Sequence, residues 1–206
     1  MSSQTVYKYP KQRHRRTETP EAFSRYQDFR PYLISEFSNT CVYCRTPDFL
    51  PSSELFGIDH YLPKKQFPSL ETEYSNLFLA CNQCNRRKGI CYPRTIDDPF
   101  IPNPCDHVMF DHLRYEGGTA KSHSHNGAFA IEQLLLNEPV SLKKRETVMT
   151  LATVLMAARD KHERMVIRLA KLAAAGDKSA EEKLPAARAK ADDLAISVRR
   201  FTGDRI

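Results

Sequence analysis

The amino-acid sequence predicts an α+β fold in which a small metal-stabilised core carries flanking helices and a C-terminal α-helical hairpin. Two CxxC pairs enclose two short apolar runs, and this pattern predicts the core. Apolar residues at every third or fourth position in the last third of the chain predict the helices. We divide the chain into a basic arm with short helices (1–40), the core (41–94), an acidic loop-rich extension (95–140) and a helical region (141–206).

Four of the six cysteines define the core. Cys41 and Cys44 form CVYC, and Cys81 and Cys84 form CNQC. In a reducing cytosol, such pairs are typical of thiolate ligands of one zinc ion rather than of disulfides. Two intervening residues let both sulfurs of a pair converge on a tetrahedral ion, with bonds of about 2.3 Å. The alternative is a set of four unrelated buried thiols.

The segment between the cysteine pairs alternates strands and loops. We expect strands at residues 55–58 and 76–79, a proline-rich loop between them and a basic helix that starts at the second pair. The apolar content of this unit is too low for a stable core by itself, so we expect the metal ion to hold it together.

The flanking segments have weaker patterns. Residues 1–20 are polar and basic and predict a flexible arm or a segment that becomes ordered only on contact, and residues 20–37 predict one or two short helices that pack on the core. Short strands are expected at 107–110 and 113–115. A long helical stretch starts near residue 130 and stops at the turn 175–179, and a second helix follows. The spacing of His107, His112, His123 and His125 is too irregular to predict a second metal site.

The charge of the chain is unevenly distributed. The net charge is +6, yet residues 95–140 carry seven acidic residues and only Arg114 and Lys121 as basic ones. A polyanion such as DNA is attracted to the basic ends and repelled by the acidic middle; the alternative is that most charges form a solvated surface. The sequence contains no apolar run of about 18 residues and no apolar signal segment, so we expect a cytoplasmic protein without membrane spans.

The segment between the cysteine pairs also holds residues suited to hydrolysis. His60 has the pKa range needed to deprotonate a water molecule near neutral pH. Asp59 and Asn85 offer hard oxygen ligands for Mg²⁺, which keeps several of its waters. A cation held there polarises a phosphodiester while His60 activates the attacking water.

The ordered elements CVYC, IDHYLPK, SNL and CNQCNRRKG, at about residues 41–89, resemble the HNH nuclease family, also called the ββα-metal nucleases. The resemblance implies a zinc-stabilised ββα-metal core that hydrolyses DNA phosphodiester bonds. It implies that His60 is the general base and Asp59 a ligand of the catalytic metal ion. Asn76 corresponds to the middle Asn, which braces the loop and orients the catalytic His.

The second half of the motif carries further implied roles. Asn85 takes the place of the last His of the family, a metal ligand, and an oxygen ligand there favours Mg²⁺ or Mn²⁺ over Ni²⁺ or Zn²⁺. The HNH domain of the RNA-guided CRISPR nuclease is similar in this respect. Lys88 is expected to contact the substrate phosphate or to support the site. The structural zinc ligands implied by the resemblance are Cys41, Cys44, Cys81 and Cys84.

A weaker resemblance covers the region after the core. IDDPF followed by AIEQLLLNEPVSLKKR is similar to the extension of HNH proteins in retron and Septu-type bacterial antiphage systems. This resemblance implies an ATPase partner that holds and restrains the nuclease. The acidic segment and the helical hairpin are candidate docking surfaces for that partner.

Basic residues near the core predict contacts with a nucleic-acid backbone. The stretch KQRHRR of the arm and Arg86, Arg87 and Lys88 of NRRKG are candidates for neutralising phosphates without reading sequence. The chain contains no pattern of a recognition helix, so we expect DNA binding that is not sequence-specific. Two functions fit these features: a metal-dependent endonuclease, or a catalytically silent zinc-stabilised module that only binds nucleic acid.

Overall fold

The computed structural model describes residues 6–48 and 55–202, which form helices and two small antiparallel sheets. The elements in chain order are α1 (Arg30–Glu36), β1 (Phe56–His60), β2 (Leu77–Cys81), α2 (Asn82–Lys88), α3 (Met109–His112), β3 (Leu113–Glu116), β4 (Thr119–Ser122), α4 (His125–Gln133), α5 (Pro139–Ala174) and α6 (Lys178–Thr202). Short 3₁₀ turns at Tyr26–Phe29, Pro68–Leu70 and Tyr74–Asn76 connect them. The mixed α+β class is confirmed.

The chain divides into two compact units. One unit is Tyr7–Glu146, and the other comprises residues 1–6 and 147–206. Tyr7–Glu146 contains both sheets and all four paired cysteines. Among the described residues, no helix is long and apolar enough to cross a membrane.

β1 and β2 form the central hairpin of the larger unit. Their register pairs Phe56 with Cys81 and His60 with Leu77, so both predicted strands are present and shifted by one or two residues. Every residue of β2 is buried, as expected for an apolar strand covered on both faces. Helix α2 approaches β1 closely at Gly57, where a Cβ atom would lie only 3.0 Å from Asn82 Oδ1. A larger residue there would displace the side chains of Asn82 and Asn85.

The N-terminal arm packs against the larger unit, so the prediction of a flexible arm is wrong for residues 7–20. Tyr7 and Tyr9 are buried, and the Tyr9 hydroxyl donates a hydrogen bond to the Tyr43 carbonyl oxygen at 2.6 Å. The Tyr9 ring stacks on Tyr115 with centroids 5.3 Å apart. Burial of these rings outweighs the polar composition of the segment. Residues 1–5 of the predicted arm lie outside the described residues.

The extension after the core contains one hairpin and two helices. The predicted strand at 107–110 is wrong, because this segment turns into α3, whereas the predicted strand at 113–115 is present as β3. β3 joins β4 through Gly117 and Gly118, both with positive φ, which suits a tight hairpin turn. Ser124 then starts α4, since its side chain accepts a hydrogen bond from the Gly127 amide.

Two long helices end the chain, and the predicted C-terminal helices are confirmed. The helical stretch expected from residue 130 is interrupted after α4, where Leu135 has a positive φ and Pro139 starts α5. α5 ends at the predicted turn, where Gly176 adopts φ of 89°. Residues 163–167 of α5 and 188–195 of α6 line one groove of about 400 Å³, as in an antiparallel hairpin. Leu151, Met165 and Leu172 of the predicted apolar stripe remain at least 40% exposed.

Candidate active site and zinc-binding cluster

Four buried cysteines converge on one point of the larger unit. One sulfur each from Cys41, Cys44, Cys81 and Cys84 lies within 4.8 Å of the others, and all four side chains are buried. The Cys44 and Cys81 sulfurs are 3.7 Å apart. A tetrahedral zinc ion with bonds of about 2.3 Å holds its sulfurs about 3.8 Å apart, so the cluster fits zinc. The position of Cys81 at the end of β2 and of Cys84 on α2 ties the hairpin to the helix.

A lysine that the sequence analysis missed lies near this cluster. Burial alone lowers the pKa of Lys144, but the nearby sulfurs of the four cysteines outweigh burial and raise it. The ammonium group therefore stays charged and partly balances the negative thiolates that a zinc site requires. Its position at the start of α5, far from the motif in sequence, gave no signal of this role.

Asp59 lies in a buried network beside the cluster. Its side chain is 2% exposed, and its two carboxylate oxygens accept hydrogen bonds from Tyr43 at 2.5 Å and from Lys88 at 3.1 Å. Lys88 is also buried and donates to the His60 carbonyl oxygen at 2.9 Å. Burial, followed by the neighbouring carboxylate, raises the pKa of Tyr43 well above its usual value, so the phenol keeps its proton and donates it.

His60 is the last residue of β1, and its ring is held from two sides. Nε2 hydrogen-bonds the Glu71 carbonyl oxygen at 3.0 Å, and the Tyr26 ring meets the imidazole edge-on with centroids 4.7 Å apart. Because a carbonyl oxygen only accepts, Nε2 carries the proton and Nδ1 remains an acceptor. Burial lowers the pKa of His60 and outweighs the hydrogen bond to the Glu71 carbonyl oxygen, which acts to raise it; the ammonium of Lys64 also lowers it. The imidazole is therefore neutral near pH 7 and able to take a proton.

Asn85 of α2 faces the same strand from the helix side. Its Nδ2 donates a hydrogen bond to the Ile58 carbonyl oxygen at 3.2 Å, so the amide nitrogen points at β1, and Oδ1 has no hydrogen-bond partner among the residues that the structure describes. Gly57 and Asp59 share one face of β1, since side chains alternate along a strand, and α2 packs on that face. Asp59 and Asn85 thus lie at one strand–helix interface, whereas the ring of His60 lies against Tyr26.

Asn76 closes the loop between the two strands. Its side chain is 7% exposed, accepts a hydrogen bond from the Leu62 amide at 2.8 Å and donates to the carbonyl oxygens of Leu62 and Leu70. These bonds fix both ends of the loop that follows His60. The residue after Leu70 is Glu71, whose carbonyl oxygen holds the His60 ring.

A comparison with protein families shows that the cysteine pairs, the hairpin and α2 lie within one family match. A family model described as HNH endonuclease matches residues 41–90. Residues 41–90 form an HNH endonuclease domain. The domain contains both cysteine pairs, the β1–β2 hairpin and α2.

A comparison with curated proteins finds a protein similar to this chain. The Septu protein PtuB from Bacillus thuringiensis is 28% identical over 115 residues. The match covers 53% of this chain and 42% of PtuB, so the chain corresponds to less than half the length of that relative.

The basic residues of α2 in the HNH domain are not equally accessible. Arg86 is exposed. Arg87 donates to the carbonyl oxygens of Leu134 and Leu135 and pairs with Glu138. The ammonium of Lys88 is fully buried against Asp59. Of the three residues predicted to contact phosphate, the structure leaves only Arg86 open to a ligand, and it gives Lys88 the supporting position.

Two aromatic residues at the HNH domain were missed in the sequence analysis. Tyr43 lies inside the first CxxC pair yet reaches Asp59, and Tyr26 contacts His60 from the helical segment before the domain. The sequence predicted that residues 20–37 pack on the core, but it contained no signal for the particular ring that meets the histidine.

Proposed function

We propose that this protein is a metal-dependent HNH endonuclease that hydrolyses DNA phosphodiester bonds. The observation that carries the proposal is the hydrogen bond from His60 Nε2 to the Glu71 carbonyl oxygen, which leaves Nδ1 as an acceptor with no hydrogen bond to any described residue, within a segment that matches the HNH endonuclease family model. A general base must be unprotonated at the working pH and must present an acceptor nitrogen to the reacting water.

The reaction begins when Nδ1 of His60 removes a proton from a water molecule beside the scissile phosphate. The water oxygen forms a bond to phosphorus, and the bond from phosphorus to the 3′ oxygen breaks. The Glu71 carbonyl oxygen stabilises the imidazolium that results, because it accepts a hydrogen bond from the Nε2 proton. Tyr26 limits rotation of the ring and keeps Nδ1 directed to the water.

Asp59 and Asn85 are the residues that would hold the catalytic Mg²⁺ or Mn²⁺. Their oxygens are hard donors of the kind these ions prefer. Each oxygen of Asp59 accepts one hydrogen bond and retains a second lone pair, and Oδ1 of Asn85 is directed away from the Ile58 carbonyl. The bound ion would supply charge stabilisation for the leaving oxygen. Arg86, exposed on α2, is positioned to contact a substrate phosphate.

The biological setting is a bacterial antiphage defence system with an ATPase partner, acting in the cytoplasm. The similarity to the Septu protein PtuB supports this setting, together with the resemblance of the region after the core to Septu-type extensions. The acidic segment 95–140 and the helices α5 and α6 are candidate docking surfaces for the partner.

A second function is supported by one observation. The Asp59 carboxylate is buried and bound on both oxygens, by Tyr43 and Lys88. A carboxylate closed in this way also suits a zinc-stabilised module that binds nucleic acid without cutting it.

Plasmid cleavage separates the two functions. The native protein is expected to nick or linearise supercoiled plasmid with Mg²⁺ or Mn²⁺ and not with EDTA. His60→Ala should slow cleavage by about 10²–10⁴-fold, the usual contribution of a general base. His123→Ala is a matched control, because this histidine lies outside the HNH domain. Equal cleavage time courses for the native protein and His60→Ala would reject the endonuclease function and support the binding module.

A further inference from the structure

The basic strip, defined here as residues 10–16, is held in place by its own backbone. The Pro10 carbonyl oxygen accepts a hydrogen bond from the Phe110 amide at 3.2 Å, and the His14 amide donates to the Pro104 carbonyl oxygen at 2.7 Å. The strip is therefore ordered along segment 104–110. An ordered segment binds a ligand without the loss of conformational entropy that a flexible arm undergoes.

Two of the basic side chains in the strip point inward. His14 Nε2 hydrogen-bonds Glu36 Oε1 at 2.6 Å, and Arg16 donates to the Leu77 carbonyl oxygen at 2.8 Å. The guanidinium of Arg16 also lies 4.7 Å from the centroid of the Phe78 ring. These internal contacts use both side chains to fasten the strip to the unit.

The remaining basic side chains of the strip, Lys11, Arg13 and Arg15, are exposed. Arg13 and Arg15 follow a bend at residues 11–12, and alternate residues of an extended chain point to the same side about 6.6 Å apart. The ammonium of Lys11, before the bend, lies 5.0 Å from the centroid of the Phe110 ring. Within the described part of the chain, neither Arg13 nor Arg15 takes part in a hydrogen bond or ion pair. Residues 10–15 line an open groove of about 960 Å³ together with Cys105 and Val108. The exposed carboxylate of Asp106, which follows Cys105 in sequence, accepts a hydrogen bond from Asn103.

We propose that Lys11, Arg13 and Arg15 bind phosphates along one strand of the nucleic-acid backbone; this inference rests on the proposed function, because it names the surface that positions the substrate. A strand of duplex DNA carries a phosphate about every 3.4 Å along the axis, so side chains about 6.6 Å apart can each reach one strand. Contacts of this kind position a nucleic acid and carry no sequence information.

The basic strip leads to the catalytic end of the hairpin. Its last residue, Arg16, bonds to Leu77, and Leu77 is the register partner of His60. Opposite residues of an antiparallel pair have Cα atoms about 5 Å apart. A nucleic-acid backbone that contacts Lys11, Arg13 and Arg15 is therefore directed to the strand end that carries His60.

The test measures binding apart from cleavage. The full chain with His60→Ala is titrated with a short fluorescein-labelled DNA duplex over a series of salt concentrations. The variant Lys11→Gln/Arg13→Gln/Arg15→Gln is made in this background and compared with Lys178→Gln/Lys183→Gln/Lys190→Gln, which removes three exposed charges from α6. Matching circular dichroism spectra and thermal unfolding of the two variants show that folding is retained.

We expect the strip variant to bind about tenfold more weakly at moderate salt and its log–log salt slope to fall by about 2.7, which corresponds to three lost phosphate contacts. The α6 variant should retain the parent slope. Equal affinities and slopes for both triple variants would overturn the proposed phosphate contacts. They would also be overturned if the strip variant bound DNA as the parent does but no longer bound an acidic protein. If the strip variant binds DNA more weakly but the native protein does not cut DNA, the phosphate contacts are supported and the nuclease function is rejected.

Discussion

The hydroxyl of Tyr43 donates a hydrogen bond to the carboxylate of Asp59 at 2.5 Å, and both side chains are buried. Tyr43 lies between the two cysteines of the first CxxC pair, whereas Asp59 belongs to β1. The bond therefore connects the first cysteine pair to the carboxylate beside His60, the proposed general base. A zinc ion at the cluster would fix Tyr43, and Tyr43 in turn fixes the orientation of Asp59.

Tyr43→Phe is expected to impair cleavage without releasing zinc. Loss of a hydrogen bond to a charged group removes about 1.5–3 kcal/mol, so kcat should fall by about ten- to a hundredfold if Asp59 must be oriented to hold the catalytic ion. Tyr9→Phe is the matched control, because it removes a buried hydroxyl bonded to the same knuckle and leaves Asp59 intact. Steady-state cleavage and zinc content by mass spectrometry are the measurements. Equal losses for both variants would assign Tyr43 to folding alone.

Lys88→Met should destabilise the protein strongly. The change leaves the buried carboxylate of Asp59 without its ion pair, and breaking a buried pair from one side costs about 3–5 kcal/mol. Arg86→Met, an exposed position on the same helix, should change the free energy of unfolding by less than about 0.5 kcal/mol. Denaturant unfolding measures both values. A stability of Lys88→Met equal to that of Arg86→Met would contradict a structural ion pair.

Much of the HNH domain could be predicted from the sequence because its signals are local. The two CxxC pairs, the apolar runs of both strands and the turn residues between them lie within about fifty residues. The bond from Tyr43 to Asp59 could not be predicted, since the direction of a side chain inside a knuckle depends on tertiary packing. For the same reason, the sequence left two alternatives for Lys88, contact with the substrate phosphate or support of the site, and did not predict its burial.

The arm shows the opposite case, in which local composition was misleading. Its polar and basic residues predicted flexibility, yet Arg16 bonds to Leu77, sixty-one positions further along the chain. Pairings at that sequence separation produce no periodicity, so a single sequence contains no local signal for them. The strand predicted at 107–110 failed because a short apolar run fits a helical turn as well as a strand.

One zinc ion per chain is expected, and its removal should unfold the HNH domain. Structural zinc commonly contributes about 10–16 kcal/mol of binding free energy to the folding of small domains. Cys84→Ser should abolish stoichiometric zinc and lower the melting temperature, whereas Cys105→Ser, outside the cluster, should retain the metal. Full zinc occupancy in Cys84→Ser would contradict the four-sulfur site.

Glu36 should make stability depend on pH in the acidic range. Burial acts to raise its pKa, but hydrogen bonds from Thr17, His14, Glu18 and Tyr74 outweigh burial and lower it below the usual 4.5. A lowered folded-state pKa contributes stability that is present above pH 4.5 and lost as the pH falls towards the folded value. Urea unfolding of Glu36→Gln should therefore show a shallower loss of stability below pH 4.5 than the native protein.

The control for this experiment is Glu181→Gln, an exposed carboxylate at the start of α6. Its unfolding should follow the pH dependence of the native protein. A Glu36→Gln protein with the native pH dependence would show that these hydrogen bonds do not favour the ionised carboxylate.

The position of the catalytic cation tests the central claim most directly, namely that the zinc-anchored strand and helix place Asp59 and Asn85 around one ion beside His60. Crystals of His60→Ala grown with Mn²⁺ and a DNA duplex allow anomalous diffraction at the manganese edge. The account predicts a peak within about 2.3 Å of both an Asp59 oxygen and Asn85 Oδ1, next to a backbone phosphate. A manganese peak bound by other residues, with Asp59 still held by Lys88 and Tyr43, would contradict it.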